Sequence, residues 1–331
     1  MNPLTPRIGV YFALLQLLFT MTWTVYIIFL PRLAAEAGIP KSWILWILIA
    51  DQLVFVIADW LVGTRADRMS RVVGRLGPRL ALVTLISALP FLLLPFAAPL
   101  ASPLLLLALT FLWTVTSSAL RAPPLMLIGK YAAAGARPVI AGFWLFGFGM
   151  AGALAPYLTI VLRDADPRLP FALASVSVAI AAWALGWAER SLAAAAPAAE
   201  QPARKPLPIW GFLAVVALAA LGFQVHFSLS SAPQYLRFVP AEQLGQLMPA
   251  FWAGFNLAML PLTLLIRRYG DFRILAAGTL AGAIAVLYAT QASSLATLVA
   301  AQVAAGAAWA AVMFGAFGAA ILLGRTGREG F

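Results

Sequence analysis

The chain has 331 residues, of which 63% are apolar and only 10% are charged, and its formal net charge is +11. This composition excludes a soluble enzyme, a nucleic-acid-binding module and a disordered chain, because soluble domains are far less apolar. A transmembrane helix needs about 20 apolar residues, so the apolar residues suffice for about ten crossings of a membrane. Cysteine is absent and histidine occurs once, so we expect no disulfide, no metal site and no cofactor.

Ten long apolar runs follow one another along the chain and predict an all-α polytopic membrane protein with ten transmembrane helices. The first run follows Arg7 and is 24 residues long. It is therefore too long for the roughly 7–15-residue hydrophobic core of a signal peptide and is treated as a span. In chain order, the predicted spans one to ten lie at 8–31, 43–63, 80–97, 102–126, 138–162, 171–187, 209–231, 246–266, 274–290 and 295–323.

The basic residues are distributed unequally between the connections of these spans. When the connections are assigned alternately to two sides, 16 of the 22 Lys and Arg residues share the side of the N-terminus. Five lie on the opposite side, and one, Arg121, lies within span four. Positive charge stays in the cytoplasm, so both termini are predicted to be cytoplasmic. The excess of Arg over Lys is typical of a GC-rich bacterial genome, and hence of a bacterial inner membrane.

The longest connection, 188–208, is rich in Ala and Pro with scattered charge, which is typical of a flexible linker. It divides the spans into six and four. The predicted organisation is therefore a six-helix N-terminal bundle over 1–187, a cytoplasmic linker over 188–208, and a C-terminal bundle of four helices over 209–331.

A glycine–aspartate–arginine pattern follows span two. Gly63 permits a tight helix end, Asp67 can accept hydrogen bonds from neighbouring Arg residues or a helix N-terminus, and the Arg side chains face anionic headgroups. Any cytoplasmic loop collects Arg by the positive-inside rule, which is the alternative explanation. The pattern resembles the loop 2–3 signature of the major facilitator superfamily, with Ser70 where the family usually has Gly. The stretch reads Gly63-Thr64-Arg65-Ala66-Asp67-Arg68-Met69-Ser70-Arg71.

Three further features agree with this resemblance. The linker follows span six, where the family joins its two six-helix bundles. A weaker form of the signature follows span eight, and span five is Gly-rich before Pro156, similar in part to the fifth helix of the family's antiporters. For the small residues we favour a role in close helix packing. The residues concerned are Arg267-Arg268-Tyr269-Gly270-Asp271-Phe272-Arg273 in the second signature, Gly142, Gly147, Gly149 and Gly152 in span five, and Gly278 and Gly282 in span nine.

The resemblance covers nearly the whole chain and implies a bundle of the major facilitator type, here with ten helices arranged six plus four. Family members typically have twelve helices, so the last two are expected to be missing. The chain is then a fragment, the product of a truncated gene, or a ten-helix variant. The resemblance also implies a gating motif, made of Gly63, Asp67, Arg68 and Arg71 together with Asp59.

Three acidic or basic residues, Asp51, Asp59 and Arg121, lie inside predicted spans, where charge is costly and marks functional sites by default. Asp51 lies near the middle of span two, and Asp59 lies eight residues later, so the two carboxylates point within about 80° of each other. Arg121 lies at a similar depth to Asp59. We expect Asp51 to bind a proton or a cationic substrate, and Asp59 and Arg121 to form a structural or gating pair. The alternative is that Arg partners neutralise both carboxylates and hold helices together.

Uncharged polar residues concentrate in spans one, four, seven and ten, to which the resemblance assigns the central path. Histidine titrates near neutral pH, which suits His226 for proton coupling, although a lone histidine is more often a satisfied polar contact. Trp23 and Trp309 lie deep in their spans. Besides Asp51 and Arg121, the candidates for the path are Gln16, Trp23, Tyr26, Thr114, Thr116, Ser117, Ser118, Gln224, His226, Asn256, Gln302 and Trp309.

The favoured function is secondary transport of a small organic solute by alternating access, coupled to protons. The sequence contains no G-x-x-x-x-G-K-[ST] loop, which excludes ATP drive within this chain, and no H-E-x-x-H cluster of a membrane-embedded enzyme. One alternative is a ten-helix drug/metabolite-type carrier, although the linker after span six argues against its five-plus-five plan. Another is a truncated, non-transporting fragment. The expected partners are a small-molecule substrate, protons and the lipid bilayer, with no nucleic acid.

Overall fold

The structure is a computed structural model that describes residues 4–69, 76–133, 135–194 and 209–324. Within these residues, ten helices are long and apolar enough to cross a membrane, and no strand occurs. The predicted all-α architecture with ten transmembrane helices is confirmed. The helices are α1 Thr5–Glu36, α2 Lys41–Arg65, α3 Leu76–Leu100, α4 Pro103–Tyr131, α5 Arg137–Leu162, α6 Arg168–Ala194, α7 Ile209–Tyr235, α8 Ala241–Tyr269, α9 Asp271–Thr290 and α10 Leu295–Leu323.

The helices extend beyond the apolar runs, most clearly at the end of α6. Span six was predicted to end at 187, but a helical segment, Leu185–Ala194, continues into the predicted linker 188–208. This part of the linker prediction was wrong because Glu189 is fully buried there rather than solvated. The rest of the predicted linker, 195–208, lies outside the described residues.

Two helices are irregular at the positions of candidate site residues. In α4, the α-helix Pro103–Ser117 gives way to a 3₁₀ turn, Ser118–Leu120, before Ala122–Tyr131 resumes. The two prolines at 123 and 124 cause this break, because they cannot donate to the carbonyl groups one turn earlier. In α7, the segment Val225–Ser230 is a π-helix. Such segments occur frequently at functional sites.

The contacts of the chain form two compact units. The N-terminal unit comprises Leu14–Ala133 and Val161–Glu200, and the C-terminal unit comprises Gln201–Thr326 together with Met1–Ala13 and Ala134–Ile160. By its contacts, α5 therefore belongs to the C-terminal unit, although it precedes the predicted linker. The division into bundles at 1–187 and 209–331 follows the order of the chain and stays a prediction.

The core of the N-terminal unit is aromatic. The ring centroid of Trp113 lies 5.0 Å from that of Tyr26 and 4.9 Å from that of Phe91. Phe91 in turn stacks on Phe171 at 4.6 Å. All four rings are buried, and they come from α1, α3, α4 and α6. This packing fixes the Tyr26 ring beside α2 and α4.

Close helix packing in the C-terminal unit depends on small residues. A Cβ atom at Gly147 of α5 would clash with the carbonyl group of Ala13, and one at Gly152 would clash with the Trp252 ring. At Gly278 of α9 a Cβ would lie 2.8 Å from the Cβ of Ala311. The contacts at Gly147, Gly152 and Gly278 therefore support the packing interpretation of these small residues.

Candidate functional site

A buried carboxylate lies at the centre of the N-terminal unit. Asp51 of α2 is 5% exposed. Its Oδ2 accepts a hydrogen bond from the hydroxyl of Tyr26 on α1 at 2.8 Å, and its Oδ1 lies 3.1 Å from Thr114 Oγ1 on α4. No cationic side chain among the described residues pairs with Asp51. Three helices thus meet at one carboxyl group whose partners are all neutral.

The second carboxylate of α2 has a cationic partner. Arg121 Nε of α4 lies 2.9 Å from both carboxylate oxygens of Asp59. Its two other nitrogens donate to the hydroxyls of Ser117 at 3.2 Å and Ser118 at 2.7 Å, and its guanidinium lies 3.7 Å from the centroid of the Phe55 ring. Ser117 ends the α-helical segment of α4 and Ser118 begins its 3₁₀ turn, so both hydroxyls beside the guanidinium lie at the break in this helix. The predicted pair of Asp59 and Arg121 is therefore present, and its gating role stays a prediction.

Hydroxyl groups of α4 connect these two sites. Ser117 Oγ accepts from Arg121 and lies 3.0 Å from the carbonyl oxygen of Thr114, to which it donates. Thr114 in turn contacts Asp51. The two carboxylates therefore contact one face of α4, as their eight-residue spacing on α2 predicted.

A small cavity lies beside this face within the N-terminal unit. Its volume is about 20 Å³, enough for one water molecule. Five hydroxyl groups from α1, α3, α4 and α6 line it together with aromatic rings, and these hydroxyls belong to Thr22, Thr84, Ser87, Ser117 and Ser175.

The only histidine of the sequence lies in the π-helix of α7 and belongs to the C-terminal unit. His226 is 3% exposed, and its Nε2 lies 3.0 Å from Gln302 Oε1 of α10. Gln302 Nε2 donates to Gln234 Oε1 at 3.2 Å. The three side chains form a buried, uncharged polar row.

An aromatic cluster packs next to this row. Phe223 of α7 stacks on Trp309 of α10 with ring centroids 4.4 Å apart and an interplanar angle of 3°. Phe227 lies 5.5 Å from Phe223 and 5.3 Å from Phe251, whose ring lies 6.3 Å from the His226 ring. We call Phe223, Phe227, Phe251, Trp252 and Trp309 the aromatic cluster.

The remaining path candidates differ in position. Trp23 packs against Tyr26 and Trp113, with ring centroids 5.4 and 6.1 Å apart, and so belongs to the surroundings of Asp51. Gln16 is buried but hydrogen-bonds within α1, and Thr116 hydrogen-bonds within α4. The structure brings neither of these two to Asp51. Asn256 is half-buried on α8, and Gln224 is exposed.

The signature residues are only partly described. Gly63 is buried in α2. Asp67 and Arg68 lie in the last turn of the helix that ends at Met69, but their side chains fall outside the described part of the chain, as does the whole of Arg71. In the second signature, a Cβ atom at Gly318 of α10 would clash with the carboxylate of Asp271.

Sequence reasoning missed one buried acid. Glu189 accepts hydrogen bonds from the backbone N–H groups of Gly77 at 2.8 Å and Leu76 at 3.4 Å, at the start of α3. The signal in the sequence that could have identified Glu189 as buried is its position two residues after an apolar run that ends in Trp187. Gln234 was also missed, because it lies beyond the predicted end of span seven at 231.

The sequence matches the Major Facilitator Superfamily over residues 12–324. No curated protein matches the chain in sequence.

Several solved structures share the fold. The human organic anion transporter MFSD10 (TETRAN) has a TM-score of 0.66 at 14% identity, covering 100% of this chain and 93% of that one. The proton:xylose symporter XylE has a TM-score of 0.67 at 13% identity, and the match covers 98% of this chain and 86% of that one. A bacterial homologue of the iron transporter ferroportin, in an outward-facing state, has a TM-score of 0.65 at 13% identity, and the match covers 97% of this chain and 87% of that one. The predicted major facilitator fold is confirmed.

Proposed function

Because the chain belongs to the major facilitator superfamily, a family of membrane transporters, we propose that it moves a small organic solute by alternating access, coupled to protons through Asp51. Two groups of helices would expose a central site to each side of the membrane in turn. We place the protein in a bacterial inner membrane because Arg far outnumbers Lys, as is typical of GC-rich bacterial genomes. Both termini are proposed to lie in the cytoplasm, because 16 of its 22 basic residues then lie inside.

The environment of Asp51 carries the proposal of proton coupling. A buried carboxyl group without a cationic partner is costly when ionised, and it can lower this cost by taking up a proton. Asp59, on the same helix, has Arg121 as its counter-ion and therefore no such need. Asp51 is thus the carboxyl group in the described bundle that is best suited to bind and release a proton.

The hydrogen bonds of Asp51 accommodate both protonation states. The Thr114 hydroxyl has one proton and two acceptors within reach, its own helix carbonyl at Thr110, 2.8 Å away, and Asp51 Oδ1 at 3.1 Å. When Asp51 is ionised, Thr114 shares its proton between them. When Asp51 is protonated, the carboxyl group donates to Thr114, which then donates to Thr110 alone. Neither state leaves a polar atom of this group unpaired.

One structural relative, XylE, is a proton:xylose symporter, so the fold is compatible with coupling to protons.

A vesicle assay tests the proposal. The full chain is reconstituted with an internal pH probe, and a panel of small organic solutes is added outside. We expect at least one solute to move protons across wild-type vesicles and not across protein-free vesicles. The Asp51→Asn variant, which keeps the shape of the side chain but carries no titratable proton, should move none.

The matched control is Asp164→Asn, which makes the same change at an exposed residue of the same unit. It should leave the proton signal at the wild-type level. Proton movement that is equal in wild type and Asp51→Asn would contradict the coupling role. A wild-type proton signal that stays at the level of protein-free vesicles with every solute of the panel would contradict proton-coupled transport of such solutes.

A further inference from the structure

The hydroxyl-lined cavity of the N-terminal unit lies at the break in α4. Its lining includes Ser117, which ends the α-helical segment, and Leu120, which ends the 3₁₀ turn. In a regular α-helix the carbonyl group of Leu120 would accept from the residue four positions later, but that residue is Pro124, which has no N–H group. Inside membranes, ordered water is one of the partners that satisfy carbonyl groups freed by proline. The break thus frees an acceptor at a residue that lines the cavity.

The five hydroxyl groups of the cavity all use their proton on a backbone carbonyl group. Each of these side chains is at most 5% exposed. A hydroxyl group has one proton and two lone pairs, so these groups offer an occupant of the cavity only lone pairs. The hydroxyl and carbonyl residues, with their oxygen–oxygen distances, are Thr22 and Phe19 at 2.6 Å, Thr84 and Leu80 at 2.8 Å, Ser87 and Trp113 at 3.5 Å, Ser117 and Thr114 at 3.0 Å, and Ser175 and Ala88 at 3.3 Å.

This pattern of acceptors determines which molecule fits the cavity. An anion would find no proton to accept from the five hydroxyl groups. A cation is disfavoured because Arg121 Nη1 donates to Ser117 Oγ at 3.2 Å, and no Asp or Glu among the described residues lines the cavity. A water molecule is neutral and has two protons to donate. The volume of about 20 Å³ exceeds the roughly 10–15 Å³ that one water needs.

We propose that this cavity binds one ordered water molecule, which donates its two protons to hydroxyl groups of different helices. The water then joins α4, at its break, to the helices packed around it. Because Ser117 lines the cavity and also accepts from Arg121, the water helps to hold this serine beside the ion pair of Arg121 and Asp59. This inference does not depend on the proposed function, since it concerns the interior of one unit.

Oxidation by X-ray radiolysis of the full chain in detergent tests the proposal. X-rays convert water into hydroxyl radicals, which oxidise side chains close to their source, so a bound water marks a buried neighbour. Phe91 lines the cavity and is 1% exposed, whereas Phe29 of the same unit is 2% exposed and does not line it. We expect Phe91 to be oxidised several-fold faster than Phe29. Equal oxidation of the two rings in the wild type would overturn the proposal.

Ser87→Val tests the cavity itself. One methyl group of the valine replaces the hydroxyl group, and the other has about the size of a water molecule and fills the cavity. Oxidation of Phe91 should then fall to the level of Phe29. Ser87→Ala is the matched control, because it removes the same hydroxyl group without filling the space, and it should keep the wild-type rate.

Two further results would contradict a water site. The first is oxidation of Phe91 at the wild-type rate in Ser87→Val. The second is a rise in the unfolding temperature of the wild type with sodium or lithium chloride, relative to choline chloride at equal ionic strength, that Ser87→Val abolishes. That result would assign the cavity to a cation. The comparison of Phe91 with Phe29 needs no variant, so it decides the proposal even if Ser87→Val does not fold.

Discussion

Two aspartates on one helix differ in their partners. Within the described residues, the side chain of Asp51 hydrogen-bonds to the hydroxyls of Tyr26 and Thr114 alone, whereas Asp59 faces the guanidinium of Arg121. A paired carboxylate holds its charge and links helices, whereas a carboxyl group with neutral partners can change its protonation state. The same residue type thus serves structure at one position and, in our proposal, coupling at the other.

The pair of Asp59 and Arg121 yields a stability prediction. Asp59→Asn removes the anion and leaves a largely buried guanidinium without its counter-ion, so the free energy of unfolding should fall by about 3 kcal/mol. Adding Arg121→Gln should cost less than the sum of the single changes, because the two residues are in direct contact. Denaturant or thermal unfolding of the purified variants measures this coupling.

The exposed pair of Arg32 and Glu36, with nitrogen and oxygen 2.9 Å apart on one helix, is the control. Glu36→Gln should change the free energy of unfolding by no more than about 0.5 kcal/mol, because exposed pairs contribute little. Equal effects of Asp59→Asn and Glu36→Gln would show that the pair in the bundle is not structural.

Glu189 joins two helices, because it lies near the end of α6 and accepts hydrogen bonds from the start of α3. The first N–H groups of a helix have no partner within the helix, and a carboxylate there satisfies them and interacts favourably with the helix dipole. The approach is close, since a Cβ atom at Gly77 would lie 2.6 Å from the Cα of Gly186. The start of the predicted linker region is therefore part of the N-terminal unit.

Replacing Glu189 should accordingly destabilise the N-terminal unit. Glu189→Leu leaves the N–H groups of Leu76 and Gly77 unpaired and should lower the free energy of unfolding by about 2–3 kcal/mol. Glu189→Gln keeps an oxygen acceptor and should cost clearly less. Thermal unfolding compares the two variants. If Glu189→Leu is as stable as the wild type, the hydrogen bonds to α3 contribute nothing.

Much of the element layout follows from the sequence alone. Apolar runs locate all ten helices, and the prolines at 123 and 124 mark the break in α4. The position of Asp51 near the middle of its apolar run is compatible with its burial. Its partners could not be predicted, because Tyr26 and Thr114 come from other helices whose rotation depends on packing. The π-helix of α7 has no sequence signal, since backbone register there is set by tertiary contacts.

For the whole molecule, the orientation in the membrane is the property that the distribution of basic residues predicts. The absence of cysteine makes it directly measurable, because a single introduced cysteine is then the only thiol. We expect a membrane-impermeant maleimide to label Ser42→Cys, in the first turn of α2, in intact cells. Gly135→Cys, between α4 and α5, should react only after lysis.

Both positions are exposed, and a Cβ atom at Gly135 meets no atom within 4 Å, so neither change should disturb the fold. Labelling of Gly135→Cys in intact cells, with Ser42→Cys protected, would reverse the proposed orientation.

In our proposal, Asp51 couples solute movement to protons, and a comparison of solute accumulation with solute exchange tests this coupling. A solute that moves protons in the vesicle assay is supplied in labelled form to wild-type and Asp51→Asn vesicles. With an imposed pH gradient, the wild type should accumulate the label, and Asp51→Asn should only equilibrate it. Both should exchange external label for internal unlabelled solute, because exchange needs no net proton transfer. Accumulation by Asp51→Asn at the wild-type level would show that Asp51 does not couple solute movement to protons.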